Sequence, residues 1–330
     1  MCALLGSATG QEHPGAQRQG DQSIRVQVEM VSLPVVVTTR EGRYITDLKK
    51  EDFKILEDGI AQEIAGFATV NEPISVALAL DTSGSTEDQL KRIQGEAIRF
   101  VNLLRPDDSV AIISFADHVR LLEHFNLEHK KNPGVIRETR PGGLTALYEA
   151  VWLALQDVLE PEYGRKALVL FSDGVDNHSE SVSKEETLEL ALRTEATIYC
   201  VYFDTEGDQD KRDPALIMRV VEPERLQFPP IPVPGLPGSR GRRRPEFYLG
   251  HEYMMTLAAY SGGVLFDASK MRDLGPAFRK VAQELSSQYS IGYYPRNRTH
   301  DGRFRRVEVR VNRPGLIARS KKGYFAVPER

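Results

Sequence analysis

The stretch Ile74-Ser-Val-Ala-Leu-Ala-Leu-Asp-Thr-Ser-Gly-Ser85 decides the fold of this chain. Its first seven residues form a run that is apolar on both faces of a strand, and similar runs follow at 110–115, 167–171, 197–203 and 264–266. Strands of this kind are typical of a parallel sheet covered by helices. Apolar residues at helical spacing separate the runs, as in the segment 90–104. The sequence therefore predicts an α/β domain built on a doubly wound, mostly parallel sheet.

Outside this domain the hydrophobic pattern changes to a period of two. Alternating apolar residues occupy 24–30 and 307–311, and Asp-Gly turns lie at 58–59 and 301–302. This pattern favours half-buried antiparallel strands. Because such strands flank the α/β domain on both sides, we expect that domain to be inserted in a small antiparallel β-domain made from both termini.

The predicted organisation has four parts. They are a leader remnant or disordered tail (1–22), the N-terminal part of the β-domain (23–72), the α/β domain (73–290) with a Pro/Arg-rich insertion (223–245), and the C-terminal part of the β-domain (291–330).

Composition excludes several functional classes. The 43 Lys and Arg residues nearly balance the 47 Asp and Glu residues, and the formal net charge of −4 argues against nucleic acid or anionic lipid as a partner. Two cysteines exclude a disulfide framework and a Cys-based zinc site. No apolar stretch reaches the roughly 18 residues that a transmembrane helix needs. Neither a P-loop nor a G-x-S-x-G motif occurs.

The N-terminal segment Met1-Cys-Ala-Leu-Leu-Gly-Ser-Ala-Thr-Gly10 is short, apolar and rich in small residues. It lacks the basic start of a signal peptide but is similar to the second half of one. We therefore expect a secreted, periplasmic or cell-envelope protein whose leader is truncated here. The alternative is a cytoplasmic protein with a disordered tail.

Three loops carry the candidate chemistry. They are Asp81-Thr-Ser-Gly-Ser85, Gly142-Gly-Leu-Thr145 and Ser172-Asp-Gly174, and each lies next to a predicted strand or helix. Ligand sites in doubly wound sheets form at the carboxyl ends of strands, so the loops should meet at one edge. Two carboxylates about 5 Å apart repel by roughly 3 kcal/mol at an effective dielectric constant of about 20, which a dication would offset. Ligands that are all oxygen favour Mg²⁺, with Mn²⁺ or Ca²⁺ as alternatives. The alternative is that Asp81 and Ser85 only cap a helix.

The residues Asp81, Ser83, Ser85, Thr145 and Asp173 resemble the metal-ion-dependent adhesion site (MIDAS) of von Willebrand factor type A domains. The resemblance covers about residues 72–290. It implies that the three hydroxyl side chains coordinate the metal directly, and that the two carboxylates hold it through water or through hydrogen bonds to the ligands.

Flanking segments such as Leu33-Pro-Val-Val-Val37 and Lys322-Gly-Tyr-Phe325 resemble a bacterial branch of that family, "VWFA-related, acidobacterial". The resemblance implies a non-enzymatic, adhesion-type module whose metal captures an exposed Asp or Glu of a partner protein. The alternative is a structural or assembly component of the cell envelope whose metal meets no external ligand. Asp176 is interpreted as a solvated loop residue.

Overall fold

A computed structural model describes residues 30–125, 131–203, 245–268 and 270–326. The predicted leader remnant, residues 24–29 of the alternating segment and nearly all of the Pro/Arg-rich insertion lie outside these ranges. No helix within them is both long and apolar enough to cross a membrane.

The strands of the described ranges are, in chain order, β1 (Val31–Thr39), β2 (Phe53–Glu57), β3 (Ile60–Gln62), β4 (Ile64–Ala68), β5 (Ile74–Asp81), β6 (Ser109–Phe115), β7 (Val119–Glu123), β8 (Arg165–Ser172), β9 (Thr197–Tyr202), β10 (Leu265–Asp267), β11 (Gln288–Tyr293), β12 (Phe304–Val311), β13 (Leu316–Arg319) and β14 (Gly323–Phe325). The α-helices are α1 (Leu90–Leu103), α2 (Leu147–Trp152), α3 (Lys184–Arg193), α4 (Pro245–Ser261) and α5 (Leu274–Ser286). A π-helix, Leu153–Leu159, continues α2.

A sheet with the strand order β10-β9-β8-β5-β6-β7 forms the centre of the α/β domain. Its strands are parallel except for β7, which pairs antiparallel with β6 at the edge. Helices α1 and α5 cover one face, and α2, α3 and α4 cover the other. Within β5, Val76 and Leu78 face the first helix layer, and the smaller Ala77 and Ala79 face the second. The predicted doubly wound, mostly parallel sheet is confirmed.

Two antiparallel sheets pack on each other in the β-domain, with the orders β13-β1-β11-β4 and β14-β12-β2-β3. Both combine strands from before and after the α/β domain. In the first sheet Val31 pairs with Tyr293 and Val36 with Gln288, and in the second Ile55 pairs with Val309. The prediction that both termini build one antiparallel β-domain is therefore confirmed. The exact domain boundaries stay a prediction.

Local structure differs from the sequence expectation at two helix starts. In the sequence, Gln89 follows Thr86 at capping-box spacing, which predicts a helix from Thr86. In the structure a 3₁₀-helix spans Gly84–Gln89, and α1 begins only at Leu90. The carbonyl of Ser83 accepts both the amide (2.9 Å) and the hydroxyl (2.8 Å) of Thr86, which favours the tighter turn. Apolar residues at helical spacing from Leu147 to Val158 predict a second helix that starts at Thr145, but it begins at Leu147.

Candidate metal centre

The candidate site lies at the carboxyl ends of β5 and β8, which are neighbours in the sheet. Leu80 pairs with Phe171, so Asp81 and Ser172 end the two strands side by side. Asp173 is the next residue after β8. Because the strands are parallel, the residues that follow them emerge at the same edge. The topology thus brings the first and third predicted loops together.

Asp81 is fully buried and its carboxylate accepts three hydrogen bonds. Its Oδ1 accepts from the Ser83 amide at 3.0 Å and from the Ser83 hydroxyl at 2.6 Å. Its Oδ2 accepts from the Ser172 hydroxyl at 2.7 Å. Both oxygens are therefore held in fixed directions by the loops that follow β5 and β8.

A chain of two hydroxyl groups connects this carboxylate to that of Asp173. The Oγ atoms of Ser83 and Ser85 lie 3.1 Å apart, and Ser85 Oγ donates to Asp173 Oδ2 at 2.9 Å. Asp173 Oδ1 accepts from the Val175 amide at 3.1 Å, and the Asp173 side chain is almost completely buried. Each hydroxyl donates its one proton to a carboxylate, and the contact between the two Oγ atoms brings four of the five predicted site residues into one compact polar cluster. Capping of a helix by Asp81 and Ser85 alone does not describe it, because Asp81 also accepts from Ser172 and Ser85 donates to Asp173, both at the carboxyl end of β8.

The second predicted loop reaches the cluster through backbone contacts. The Gly84 amide donates to the Gly143 carbonyl at 3.3 Å, and the Gly142 amide donates to the Thr82 carbonyl at 2.8 Å. A Cβ on Gly84 would lie 3.1 Å from the carbonyl oxygens of both Gly142 and Gly143. A glycine at this position therefore lets the two loops approach so closely.

Thr145 is buried and tied to the third loop through its backbone. Its amide donates to the side-chain oxygen of Asn177 at 2.7 Å. Its carbonyl accepts from the amides of Asn177 at 3.0 Å and His178 at 3.1 Å. These bonds also explain why α2 does not begin at Thr145, since they occupy its backbone groups. The structure thus holds all three predicted loops against one another.

The predicted solvated role of Asp176 is wrong. Its Oδ1 accepts from the amides of Leu147 at 2.7 Å and Tyr148 at 3.2 Å, and from the Ser179 hydroxyl at 2.6 Å. A carboxylate that accepts the free amides of a first helical turn stabilises that turn. Asp176 therefore anchors the N-terminus of α2, two residues after Thr145.

Sequence reasoning also missed Asp117 and Ser172. Asp117 Oδ2 accepts from the Gly143 amide at 2.7 Å, and Oδ1 accepts from the Leu144 amide at 2.8 Å. The sequence contains a feature that could have identified Asp117. It follows the buried strand β6 by two residues, much as Asp173 directly follows β8. Ser172 directly precedes Asp173 and contributes its hydroxyl to Asp81.

Helix α4 contacts the same edge. Gly174 has a φ of +79°, and a Cβ there would lie 2.5 Å from the backbone of Gly250. The two backbones therefore touch where no other residue type fits.

The electrostatics of the cluster favour a bound cation. Burial raises the pKa of the Asp81 carboxyl well above its usual range, and the negative charge of Asp173 raises it further. The hydrogen bonds from Ser83 and Ser172 act in the opposite direction. Two buried carboxylates and hydroxyls suit a hard divalent ion. In the part of the chain that the structure describes, no group of three or more His, Cys, Asp or Glu residues is placed to hold a metal ion.

Comparison with known proteins supports the fold. Residues 76–175 match the family described as von Willebrand factor type A domain. A comparison with curated protein sequences gives no significant match. Among solved structures, the chain is similar to the conserved hypothetical protein BatB from Bacteroides thetaiotaomicron. The identity is 19% and the TM-score 0.42, and the match covers 64% of this chain and 97% of that one.

Two further solved structures are similar to the chain at comparable identity and TM-score. The vWF domain of the type V pili tip protein Mfa5 from Porphyromonas gingivalis is 13% identical with a TM-score of 0.45, over 64% of this chain and 94% of that one. Proximal thread matrix protein 1 from the mussel byssus, with a zinc-occupied MIDAS motif, is 15% identical with a TM-score of 0.45. That match covers 68% of this chain but 48% of the mussel protein, so the chain spans about half of its length. Residues 76–175, which include all five predicted site residues, match the von Willebrand factor type A domain family, and the α/β domain that contains them has a fold like that of the family.

Proposed function

We propose that this protein is a divalent-cation-dependent, adhesion-type binding module that captures a carboxylate of a partner protein. The proposed direct ligands are Ser83, Ser85 and Thr145. Asp81 and Asp173 complete the proposed site and hold the metal through water or through hydrogen bonds to the ligands. The observation that carries the proposal is the pair of buried carboxylates joined by two serine hydroxyls at the edge where three loops meet. Such a pair is costly to ionise without a cation.

The donor set supports binding of an acidic partner. Ser83, Ser85 and Thr145 are neutral donors, and the two carboxylates already accept several hydrogen bonds each. A Mg²⁺ ion held mainly by neutral oxygens retains much of its positive field and has coordination positions left for an external carboxylate. The role of the protein residues is to hold that ion at the rim, so the proposed activity is binding without turnover. An Asp or Glu side chain on a partner supplies the complementary charge.

We further propose that the protein acts outside the cytoplasm, in the cell envelope or as a secreted protein. The proposal is supported by the small, apolar residues at the start of the sequence, which are similar to the end of a secretion signal.

Calorimetric titration with MgCl₂ tests the metal site. We expect wild type to bind Mg²⁺ and both Ser85→Ala and Asp173→Ala to lose most of that binding. The matched control is Asp107→Ala, which removes an exposed carboxylate from the turn before β6, at the opposite edge of the sheet. An absence of binding heat in wild type, or equal binding by the site variants, overturns the proposal.

Capture of partners tests the adhesive role separately. Immobilised protein is incubated with envelope extract in Mg²⁺ or in chelator, and the Ser85→Ala variant is run beside it. We expect a recovered protein that depends on both the cation and Ser85. Equal recovery in Mg²⁺ and chelator would instead favour a structural component of the envelope.

A further inference from the structure

The turn that carries Thr145 to the metal centre has no regular secondary structure of its own. Residues 140–146 lie between a short 3₁₀-helix and α2. Three of its residues, Gly142, Gly143 and Leu144, precede Thr145 directly. The position of Thr145 therefore depends on what holds these three residues.

Asp117 holds this turn from the neighbouring loop after β6. Its two carboxylate oxygens accept one backbone amide each, from Gly143 at 2.7 Å and from Leu144 at 2.8 Å. Hydrogen bonds to a charged acceptor are about twice as strong as neutral ones. These two bonds lower the pKa of the Asp117 carboxyl, so it is ionised at neutral pH and its acceptors are available.

The fit between the two loops leaves little freedom. A Cβ on Gly142 would lie 2.3 Å from the Cβ of Ala116 and 2.9 Å from Asp117 Oδ2. The Ala146 amide also donates to the Ala116 carbonyl at 2.9 Å. Contacts thus lie on both sides of Thr145, and the loop after β6 forms a fixed support under the turn.

The same turn also touches the serine loop. The Gly143 carbonyl accepts from the Gly84 amide, which lies between Ser83 and Ser85. A shift of the turn would therefore displace a metal-binding threonine and disturb two metal-binding serines. The Asp117 carboxylate accepts backbone amides of this turn, so any effect on the metal centre is transmitted through the turn.

We infer that Asp117 is a positioning residue of the metal centre, whose carboxylate fixes the turn 142–144 and thereby sets the place of Thr145. This inference rests on the proposed metal-binding function. An ordinary surface carboxylate would bond to water or to a cationic side chain. Each carboxylate oxygen of Asp117 instead accepts a backbone amide, and these amides lie 26 and 27 residues away in the chain.

The test compares Asp117→Ala and Asp117→Asn with wild type and with the Asp107→Ala control. Mg²⁺ affinity is measured by calorimetry, and thermal unfolding is measured in chelator. Loss of a residue that supports metal ligands typically weakens metal binding about 10- to 100-fold. Because Asp117 supports the backbone and not a ligand side chain, we expect Asp117→Ala to weaken Mg²⁺ binding about tenfold. Asp117→Asn keeps one acceptor oxygen and should lose only about threefold.

The outcomes separate this inference from the proposed function. Wild type that fails to bind Mg²⁺ overturns both. Wild type that binds Mg²⁺, with Asp117→Ala binding equally well, overturns the positioning role alone. A change in thermal stability without a change in affinity also overturns it, since that result indicates a purely structural residue. Should Asp117→Ala fail to fold, the Asn variant decides, and unaltered affinity in that variant overturns the inference.

Discussion

Replacing Asp173 by Asn should stabilise the metal-free protein and at the same time remove its response to Mg²⁺. The two side chains have the same shape. The Asn Oδ1 can still accept the Val175 amide, and its Nδ2 can donate to Ser85 Oγ in place of the bond that Asp173 accepts. The substitution therefore changes little except the negative charge, and the repulsion of Asp81 disappears with it.

The magnitude follows from the hydroxyl chain. Asp81 Oδ1 and Asp173 Oδ2 are connected by links of 2.6, 3.1 and 2.9 Å. Their separation is therefore at most about 9 Å, where two unit charges at an effective dielectric constant of about 20 repel by about 2 kcal/mol. For a chain of 330 residues, an unfolding entropy of about 2.1 cal/mol/K per residue corresponds to about 1.4 °C per kcal/mol, so the melting temperature should rise by roughly 3 °C.

Thermal unfolding in chelator, followed by circular dichroism, measures this gain. Burial and the Asp173 charge raise the pKa of Asp81, so the folded protein disfavours the ionised pair. The metal-free wild type therefore loses stability as the pH rises through the interval between the unfolded and the folded pKa. The gain from Asp173→Asn should accordingly be largest in mildly alkaline buffer and should fade in acid.

The same scan in excess MgCl₂ completes the experiment. Wild type should gain about 1.4 kcal/mol at a Mg²⁺ concentration about ten times the dissociation constant, and Asp173→Asn should gain almost nothing. The Asp107→Asn control should behave as wild type in both buffers. The reasoning is refuted if Asp173→Asn is no more stable than wild type in chelator, or if Mg²⁺ stabilises both proteins equally.

Three further changes test other parts of the molecule. Gly174→Ala should destabilise the protein by about 2 kcal/mol or more in a thermal scan, because a Cβ at its positive φ meets the Gly250 backbone; an unchanged melting temperature would contradict this. Glu57→Ala should lower the free energy of unfolding, measured in urea, by about 3 kcal/mol. The reason is that two tyrosine hydroxyls, which donate to Glu57 at 2.7 and 2.8 Å, lose their acceptor. An unshifted urea midpoint would speak against this. The buried Cys200 thiol, whose pKa burial raises, should resist alkylation in a Cys2→Ser chain until urea unfolds it; rapid labelling of the native protein would count against the fold.

Local patterns in the sequence were sufficient to predict the architecture. Whether a strand is apolar on one face or on both depends on which faces are covered, so the run Ile74–Asp81 indicated a sheet between two helix layers. Period-two segments at both ends indicated the antiparallel β-domain in the same way. The edge strand Val119–Glu123 was not predicted, because none of its residues is fully buried and it lacks a strong pattern.

The candidate site, too, was predicted only in part from the sequence. Its five predicted residues stand next to strand and helix ends, where parallel topology places them at one edge whatever the details of the loops. Their role as metal ligands stays a prediction. Asp117 and Asp176 were not predicted as supports, because their hydrogen bonds join residues 26 to 29 positions apart. No local spacing encodes such a pair.

By itself, then, the sequence determined which segments along the chain form strands and helices, and which loops carry oxygen donors. It could do so because hydrophobic periodicity is a property of residues that are neighbours in the chain. Only the tertiary structure decided how these loops hold one another. Hydrogen bonds with Asn177 and His178 hold the backbone of Thr145, and hydrogen bonds to Asp117 hold the turn before it. Those contacts form only after the sheet has brought distant loops together, because each hydrogen bond requires its donor and acceptor within about 3 Å.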